Sequence, residues 1–472
     1  MLITETAATT VQGFVDSLPT KEKCTLTWEL QSFVVRHASH HRPIALVTSG
    51  GTAADLEVHS VRCLENFSTG TRGAISVEEF LQRGYAVIHL WRQGSASPYG
   101  RLLSRGMGIV APNQGITMAS LGKLFVTGDL EEDQEDQMVQ SVLDDAHQND
   151  QWLSDSYAEG GTKSGNKNGT TNDGMSTSKR SNSEKVADMT GIQLHRRIIH
   201  SSALRAALVE RQAALEDGRI LTIPYRSVEE YLAKLQLASV SLRDSQALTV
   251  IFLAAAVSDF YVPSSERSMH KIQSGELKDG MTLKLSPVPK AMGLIRSVWA
   301  PDAFICSFKL ETNKDILRKK AEGAVEKYGC HMVICNLLET RHDEVWILSP
   351  PDIHAFMDGA SSSAVVEVQE WPMHQVSKLK SAEVDALEAM IMEHVVRSHF
   401  EYISASASGS FDKSGTAAVL KAHKELDRKK RKVEREAFWN RVQAFALEWG
   451  GVAVGAALSY IVSAALQKRM RP

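Results

Sequence analysis

The chain has 472 residues, of which 43% are hydrophobic and 23% are charged, an ordinary balance for a water-soluble globular protein. Its formal net charge of -3 excludes a global attraction to nucleic acid or to membrane surfaces, so any such contact must be local. Five cysteines show no CxxC spacing, and three of them lie in apolar runs, which predicts buried free thiols and a reducing compartment. The first fifteen residues lack a basic stretch followed by a long apolar one, so no secretory signal is predicted.

Apolar runs alternate with segments of helical periodicity along most of the chain. This alternation predicts an α/β fold, a Rossmann-like and mostly parallel sheet with helices on both faces. The predicted strands span residues 43–48, 86–91, 249–253, 303–308, 332–335 and 344–348, and the predicted helices span 73–83, a segment beginning near 289, and 314–328.

Composition divides the chain into four parts. Residues 130–150 are acidic and polar, and residues 160–184 contain almost no apolar side chains. Such segments bury too little surface to offset the entropy lost on ordering, which predicts disorder. We therefore expect an N-terminal extension (1–27), one large domain (28–403) with a disordered insertion at about 129–189, a linker and basic run (404–435), and an apolar helical tail (436–472).

Residues 449–466 of the tail are uncharged and, as a helix rising about 1.5 Å per residue, would cross most of a bilayer core. Lys468, Arg469 and Arg471 follow this stretch, and Gly451 and Gly455 form a GxxxG pair. The stretch is nevertheless rich in Ala and Gly, which insert weakly. Two hypotheses therefore stay open. One is a membrane anchor, and the other is a helix packed on the dimer or a marginally ordered tail.

Residues 47–73 (VTSGGTAADLEVHSVRCLENFSTGTRG) place glycines directly after a predicted strand and again at the start of a predicted helix. Glycines let a backbone approach a phosphate closely, and a helix N-terminus adds partial positive charge. The spacing is neither GxGxxG nor GxxxxGK[ST], which argues against dinucleotide and P-loop sites. The segment therefore predicts a nucleotide-phosphate site at the carboxyl edge of a sheet, and the alternative is a pair of Gly-rich turns without a ligand.

Three further motifs follow in order: LAAAVSDF at 253–260 with HKIQ at 270–273, SFKLET at 307–312, and VICNLLETR with Asn336. Together with residues 47–73 they resemble the phosphopantothenoylcysteine synthetases over roughly residues 28 to 400. The resemblance implies a ligase that joins 4'-phosphopantothenate to L-cysteine in coenzyme A biosynthesis. In this family the reaction passes through an acyl-nucleotide intermediate formed from ATP or CTP, with release of pyrophosphate.

The resemblance also implies site residues. Asn66 would hold the activated carboxylate, Lys271 would neutralise phosphate charge, and Arg62 would reach the substrate of a neighbouring subunit. The remaining implied residues are Gly50, Ser68, Gly70, Gly73, Phe308 and Asn336 for the nucleotide, and Ala255, Ala256 and Asp259 for the substrate.

Each of these residues also has a structural alternative. Asn66 suits an Asx-turn, and Asp259 suits a helix N-cap. Lys271 could be a solvated lysine, Phe308 a core aromatic, and Arg62 a surface partner of Glu57 or Glu65. These alternatives stay open from the sequence alone.

The resemblance further implies a cytoplasmic homodimer that uses Mg²⁺ with ATP or CTP, no flavin and no nucleic-acid partner. No carboxylate cluster marks a metal site built by the protein. Arg72 departs from the family pattern, in which two serines precede the glycine and a basic residue follows it at once, so its role is left open. A non-catalytic nucleotide-binding or regulatory subunit is the alternative function, and the absence of a YxxxK pair argues against a nicotinamide-dependent reductase.

Overall fold

The structure is a computed structural model that describes residues 2–100, 125–127, 192–194, 202–273, 281–353, 371–378 and 386–407, with a few positions between 421 and 428. The predicted insertion at 129–189 and the tail at 436–472 lie outside the described residues. Within the described part, no helix is long and apolar enough to cross a membrane.

Eight helices and fourteen strands are described. The helices are α1 (Leu2–Ser17), α2 (Thr20–Ala38), α3 (Thr71–Gln82), α4 (Ser202–Glu216), α5 (Val228–Ser241), α6 (Ala291–Leu294), α7 (Leu317–Tyr328) and α8 (Ala386–Ala407). The strands are β1 (Ile44–Ser49), β2 (Ala53–Asp55), β3 (Cys63–Glu65), β4 (Ala86–Arg92), β5 (Phe125–Thr127), β6 (Ile192–Leu194), β7 (Ile220–Tyr225), β8 (Thr249–Leu253), β9 (Phe260–Tyr261), β10 (Ser286–Pro287), β11 (Phe304–Glu311), β12 (Met332–Leu337), β13 (Glu344–Leu348) and β14 (Met373–Ser377).

The central sheet has eight strands in the order β14-β13-β12-β11-β8-β1-β4-β7. The six strands from β12 to β7 run parallel, while β13 pairs antiparallel with both β12 and β14. The sequence prediction of a mostly parallel, helix-covered sheet is therefore confirmed. The predicted strands correspond to β1, β4, β8, β11, β12 and β13.

Strand order reverses between β1 and β8. From β1 the chain builds outward through β4 to β7, and it then returns to place β8 on the other side of β1. At such a switch point the connections leave neighbouring strands in opposite directions, which opens a crevice at their carboxyl ends. The two glycine- and alanine-rich motifs, after β1 and after β8, both lie at this crevice.

Helices α1 and α2 precede β1 and pack on the domain, and α2 crosses the predicted boundary between residues 27 and 28. Val11 of α1 is fully buried, and the Phe14 ring lies edge-on to Tyr261 at 5.9 Å between centroids. In α2, Leu30 is fully buried in the main core. At the other end, α8 continues to Ala407 and so includes the first residues of the predicted linker.

The three cysteines in apolar runs, Cys306, Cys330 and Cys335, are buried free thiols, as predicted. Burial raises the pKa of each thiol, that of Cys335 to about 12. Cys24 and Cys63 are exposed.

His89 lies in the middle of β4, the strand next to the edge strand β7. Its side chain is fully buried, and neither ring nitrogen has a hydrogen-bond partner within the described structure. Burial lowers its pKa from 6.5 to about 3, because the charged imidazolium loses its hydration. Since the unfolded chain binds this proton more tightly, the free energy of unfolding falls as the pH drops below 6.5.

We expect His89→Leu to reduce the acid sensitivity of the protein. A group with this pKa shift contributes a slope of at most about 1.4 kcal/mol per pH unit below 6.5, or about 2 kcal/mol by pH 5. Urea unfolding at pH 7, 6 and 5 measures the difference in slope between wild type and variant. His374→Leu, a change at an exposed position of β14, is the matched control. If the free energy of unfolding fell equally with pH in wild type and His89→Leu, the lowered pKa of His89 would be contradicted.

Candidate active site

The first glycine pair closes the turn after β1. Gly50 has a φ of 93°, and a Cβ there would lie 2.2 Å from Cβ of Arg92 at the end of β4. A Cβ on Gly51 would lie 2.0 Å from the carbonyl oxygen of Asn66. Both distances are far below van der Waals contact, so the turn reaches this position only because glycine stands there.

The second glycine pair fixes the start of α3 on the end of β1. Gly70 caps α3 with a φ of 72°, and Ser95 Oγ occupies the space where its Cβ would be, at 2.7 Å. A Cβ on Gly73 would lie 2.5 Å from Ser49 Cβ, and Ser49 Oγ donates a hydrogen bond to the Gly70 carbonyl at 3.0 Å. The N-terminus of α3 therefore faces the crevice, where it favours bound anions.

The turn after β8 is hydrogen-bonded to the turn after β1. Ala256 N–H donates to Gly50 O at 2.8 Å, and Thr52 N–H donates back to Ala256 O at 3.1 Å. Ala255 N–H donates to Thr48 Oγ1 at 3.1 Å. The predicted nucleotide loop and the predicted substrate alanines thus form one unit, with both alanines half-buried at the crevice.

The hairpin β2–β3 carries Arg62 and positions it on Glu57. Arg62 Nε donates to Glu57 Oε1 at 2.9 Å, and its Nη2 donates to Ile272 O at 2.7 Å. Glu57 has no exposed surface. Burial raises its pKa, but hydrogen bonds from the Arg62 side chain and from the Arg62 and Val61 backbones outweigh burial and lower it overall. Of the two surface partners considered for Arg62, Glu57 is the one it contacts.

The HKIQ segment runs beside this hairpin. Val58 N–H donates to Ser268 O at 2.9 Å, and the His59 and His270 rings stack at 5.6 Å. Lys271 is exposed. The structure thus places the HKIQ segment beside the hairpin of the first motif.

Asn66 follows the hairpin, and its backbone N–H donates to Thr52 O at 3.3 Å. Its half-buried side-chain amide makes no hydrogen bond to any residue that the structure describes, so an Asx-turn is not formed there. Ser68 is exposed, and its Oγ accepts from Gly70 N–H at 3.3 Å. The Asn66 amide therefore keeps both donor and acceptor for a ligand.

Asp259 does not cap a helix, because β9 follows it directly. Its carboxylate is exposed and pairs with Lys290 Nζ at 2.5 Å. Lys290 was not among the predicted site residues, and its place beside Asp259 is decided by the pairing of β9 with β10. Arg92 and Ser95, which pack on the glycines, were also missed, although Arg92 directly follows the predicted strand 86–91.

Phe308 lies within β11, and Asn336 lies one residue before the end of β12. The half-buried Phe308 ring packs against Phe252, and the Arg72 guanidinium lies 5.6 Å from its centroid. Asn336 is buried, with 5% of its surface exposed. Arg72, whose role the sequence left open, therefore connects the start of α3 to the two residues predicted to contact the base.

Within the described part of the chain, no group of three or more His, Cys, Asp or Glu side chains is arranged to hold a metal ion. The site is instead built from backbone N–H groups, hydroxyls, amides and a few cations at a switch-point crevice. This arrangement defines an α/β protein with a phosphate-binding site of the nucleotide-binding type.

Comparison with known proteins extends this assignment. Residues 191–352 match the family described as DNA/pantothenate metabolism flavoprotein C-terminal domain. The chain is 34% identical to phosphopantothenate–cysteine ligase 1 of Arabidopsis thaliana over 333 residues, covering 70% of this chain and 81% of that protein. It is 32% identical to phosphopantothenate–cysteine ligase of Homo sapiens over 317 residues, covering 67% and 79%. A solved structure of a Cab2 mutant in complex with phosphopantothenate-cysteine aligns with a TM-score of 0.55 and 26% identity, covering 82% of this chain and 96% of that one. The chain therefore belongs to the phosphopantothenate–cysteine ligase family.

We expect Gly51→Ala to displace the hairpin, because its Cβ would lie 2.0 Å from a backbone oxygen that cannot rotate away. Amide hydrogen exchange across residues 53–66 should accelerate, and the thermal midpoint should fall. Gly323→Ala is the matched control, since a Cβ on that helical glycine meets nothing within 4 Å. Unchanged exchange in Gly51→Ala would show that the turn has room for a side chain.

Proposed function

We propose that this chain joins 4'-phosphopantothenate to L-cysteine through an acyl-nucleotide intermediate, in coenzyme A biosynthesis. One observation carries the proposal: the glycine turn after β1, the start of α3 and the alanines after β8 converge on one crevice. Relatives that are 32–34% identical and named phosphopantothenate–cysteine ligase support the same reaction.

The reaction has two steps. The phosphopantothenate carboxylate attacks the α-phosphate of ATP or CTP, forming an acyl-nucleotide and releasing pyrophosphate. The cysteine amine then attacks the acyl carbon, forming the amide and releasing the nucleoside monophosphate and a proton. Because both leaving groups are good, the protein needs to supply position, charge neutralisation and protection from water rather than strong acid–base catalysis.

The crevice fits these tasks. Backbone N–H groups near Gly50, Gly70 and Gly73, together with Ser68, would bind the triphosphate, and Mg²⁺ would enter bound to the nucleotide. Lys271, which is exposed, would neutralise phosphate charge. No flavin is assigned to this site.

The substrate side of the crevice has small and polar groups. Ala255 and Ala256 would leave space for the pantothenate chain beside the strand ends, and Asp259 would accept hydrogen bonds from its hydroxyl or amide groups. Asn66, with an unused amide, would stabilise the charge that develops on the acyl group. Phe308 and Asn336 would contact the base.

The proposed active form is a cytoplasmic homodimer in which Arg62 reaches the partner's substrate. Exposed apolar side chains on and beside the hairpin support an interface there: Phe67 is fully exposed and Val61 is 63% exposed. Arg62 itself is 38% exposed, so its guanidinium is accessible while it pairs with Glu57. Membrane contact through residues 449–466 remains a hypothesis on a segment outside the described residues.

Pyrophosphate release tests the proposed function directly. Purified protein with phosphopantothenate and either ATP or CTP should release pyrophosphate, and turnover should require cysteine. A regulatory subunit on the same fold would bind nucleotide without cysteine-dependent release, and that result would overturn the proposal.

Asn66→Ala should lower kcat/KM by about 10²–10³-fold, or roughly 2.7–4 kcal/mol, the effect of removing one donor to a developing oxyanion. Its thermal midpoint should barely change, because the amide makes no described contact. Asn313→Ala is the matched control: Asn313 Oδ1 accepts from Asp315 N–H at 2.8 Å, so this change should cost about 1 kcal/mol of stability and leave activity intact. If Asn66→Ala turned over at the wild-type rate, Asn66 would have no part in stabilising the acyl group.

Subunit exchange tests the position of Arg62. Arg62→Gln keeps a donor for the buried Glu57 carboxylate but removes the charge, so this variant should fold and be nearly inactive. Mixed with Asn66→Ala in equal amounts, it should regain about a quarter of wild-type activity, because half the dimers are mixed and one of their two sites is intact. Native mass spectrometry confirms the exchange. Mixed dimers without activity would place Arg62 in its own subunit's site or outside it.

A further inference from the structure

Arg72 connects three segments at the base side of the crevice. Its Nη2 donates to Arg341 O at 2.6 Å, and its Nε lies 3.5 Å from the Glu388 carboxylate of α8. Its Nη1 lies 3.2 Å from the side-chain amide of Asn336, and its guanidinium lies over the Phe308 ring. Burial lowers the pKa of Arg72, and the Glu388 charge opposes that effect. A single guanidinium therefore contacts both residues proposed to bind the base.

The contact with Arg72 fixes which way the Asn336 amide points. A guanidinium only donates hydrogen bonds, and the carbonyl of Lys309 only accepts them. The amide satisfies both neighbours only when its oxygen accepts from Arg72 Nη1, at 3.2 Å, and its nitrogen donates to Lys309 O, at 2.9 Å. The reverse orientation would place oxygen against oxygen and nitrogen against nitrogen. Because Asn336 is buried, water cannot compensate for that mismatch.

We propose that Arg72 is a positioning residue that sets the base preference of the enzyme by holding the Asn336 amide in one orientation. The proposal rests on the proposed function, in which Asn336 contacts the base. Adenine and cytosine each present an amino donor beside a ring-nitrogen acceptor, whereas guanine and uracil present a carbonyl acceptor beside an N–H donor. An amide of fixed orientation offers one donor–acceptor arrangement, so it matches one of these two base types and mismatches the other.

A purely structural role for Arg72 makes a different prediction. If Arg72 only anchors α8 through Glu388, its replacement should lower turnover with every nucleotide alike. If it orients Asn336, replacement should change the ratio between the two base types. Donor character is the variable to test. Lysine also only donates, so it keeps the same constraint on the Asn336 amide. Glutamine both donates and accepts, so only the Lys309 carbonyl would still favour one orientation of that amide.

The experiment measures kcat/KM of the full chain for ATP, CTP, GTP and UTP by cysteine-dependent pyrophosphate release. Wild type should prefer the amino bases (ATP and CTP) over the keto bases (GTP and UTP). Arg72→Gln should reduce that preference by about tenfold or more, while Arg72→Lys should retain it despite lower overall turnover. The change should appear in KM for the nucleotide and not in KM for phosphopantothenate.

In an Asn336→Ala background, Arg72→Gln should have no further effect on the preference, since the two residues act as one unit.

Glu388→Gln is the matched control for packing: it should lower the thermal midpoint and leave the base preference unchanged. Should Arg72→Gln fail to fold by circular dichroism, Asn336→Asp takes its place, because a carboxylate replaces the amide donor and should also reduce the preference. The inference is overturned if the folded variant keeps the wild-type preference for amino over keto bases. It is also overturned if the wild type uses both base types equally. A wild type without cysteine-dependent release for any nucleotide overturns the proposed function instead.

Discussion

The site depends on backbone segments that approach one another more closely than side chains permit. Gly51 lies against the carbonyl of Asn66, and Gly73 lies against Ser49, at distances where no Cβ fits. These contacts let the turn after β1, the hairpin and the start of α3 share one small volume. Because the turn after β8 hydrogen-bonds to the same backbone, these segments hold one another in place. Such preorganisation lets binding energy go into orienting substrates.

Carboxylates around the crevice hold its cations in place. Arg62 pairs with Glu57, Arg226 pairs with Asp55 at 2.5 Å, and Lys290 pairs with Asp259. Exposed ion pairs contribute only about 0–1 kcal/mol each to the free energy of unfolding, so the exposed pairs among these add little to the stability of the domain. Their effect is geometric: a flexible cationic side chain is held in one position at the edge of a site that binds polyanions. The substrates of the proposed reaction, a nucleoside triphosphate and a phosphorylated acid, match that property.

Sequence predicted some elements well and missed others for identifiable reasons. The prediction for β8 matches its bounds, because a fully buried strand reads as an uninterrupted apolar run. β7 was missed since it is an edge strand with alternating exposure and contains Pro224, both of which weaken the pattern. β14 is another edge strand with three exposed residues out of five. The hairpin β2–β3 was also missed, because each strand has only three residues and takes its place from the glycine turn.

The sequence by itself determined the fold class, the family and the residues of the glycine turns, because these depend on local periodicity and on residue types at fixed spacing. Through the family resemblance it also predicted Asn66, Lys271 and the two alanines as site residues. Tertiary structure alone decided which groups meet across the site. Arg72 contacts Asn336 from 264 residues away in the chain, and Lys290 pairs with Asp259 across a short two-stranded ladder. Such contacts leave no periodic trace in the sequence, because they depend on strand order and on the path of loops rather than on local propensity.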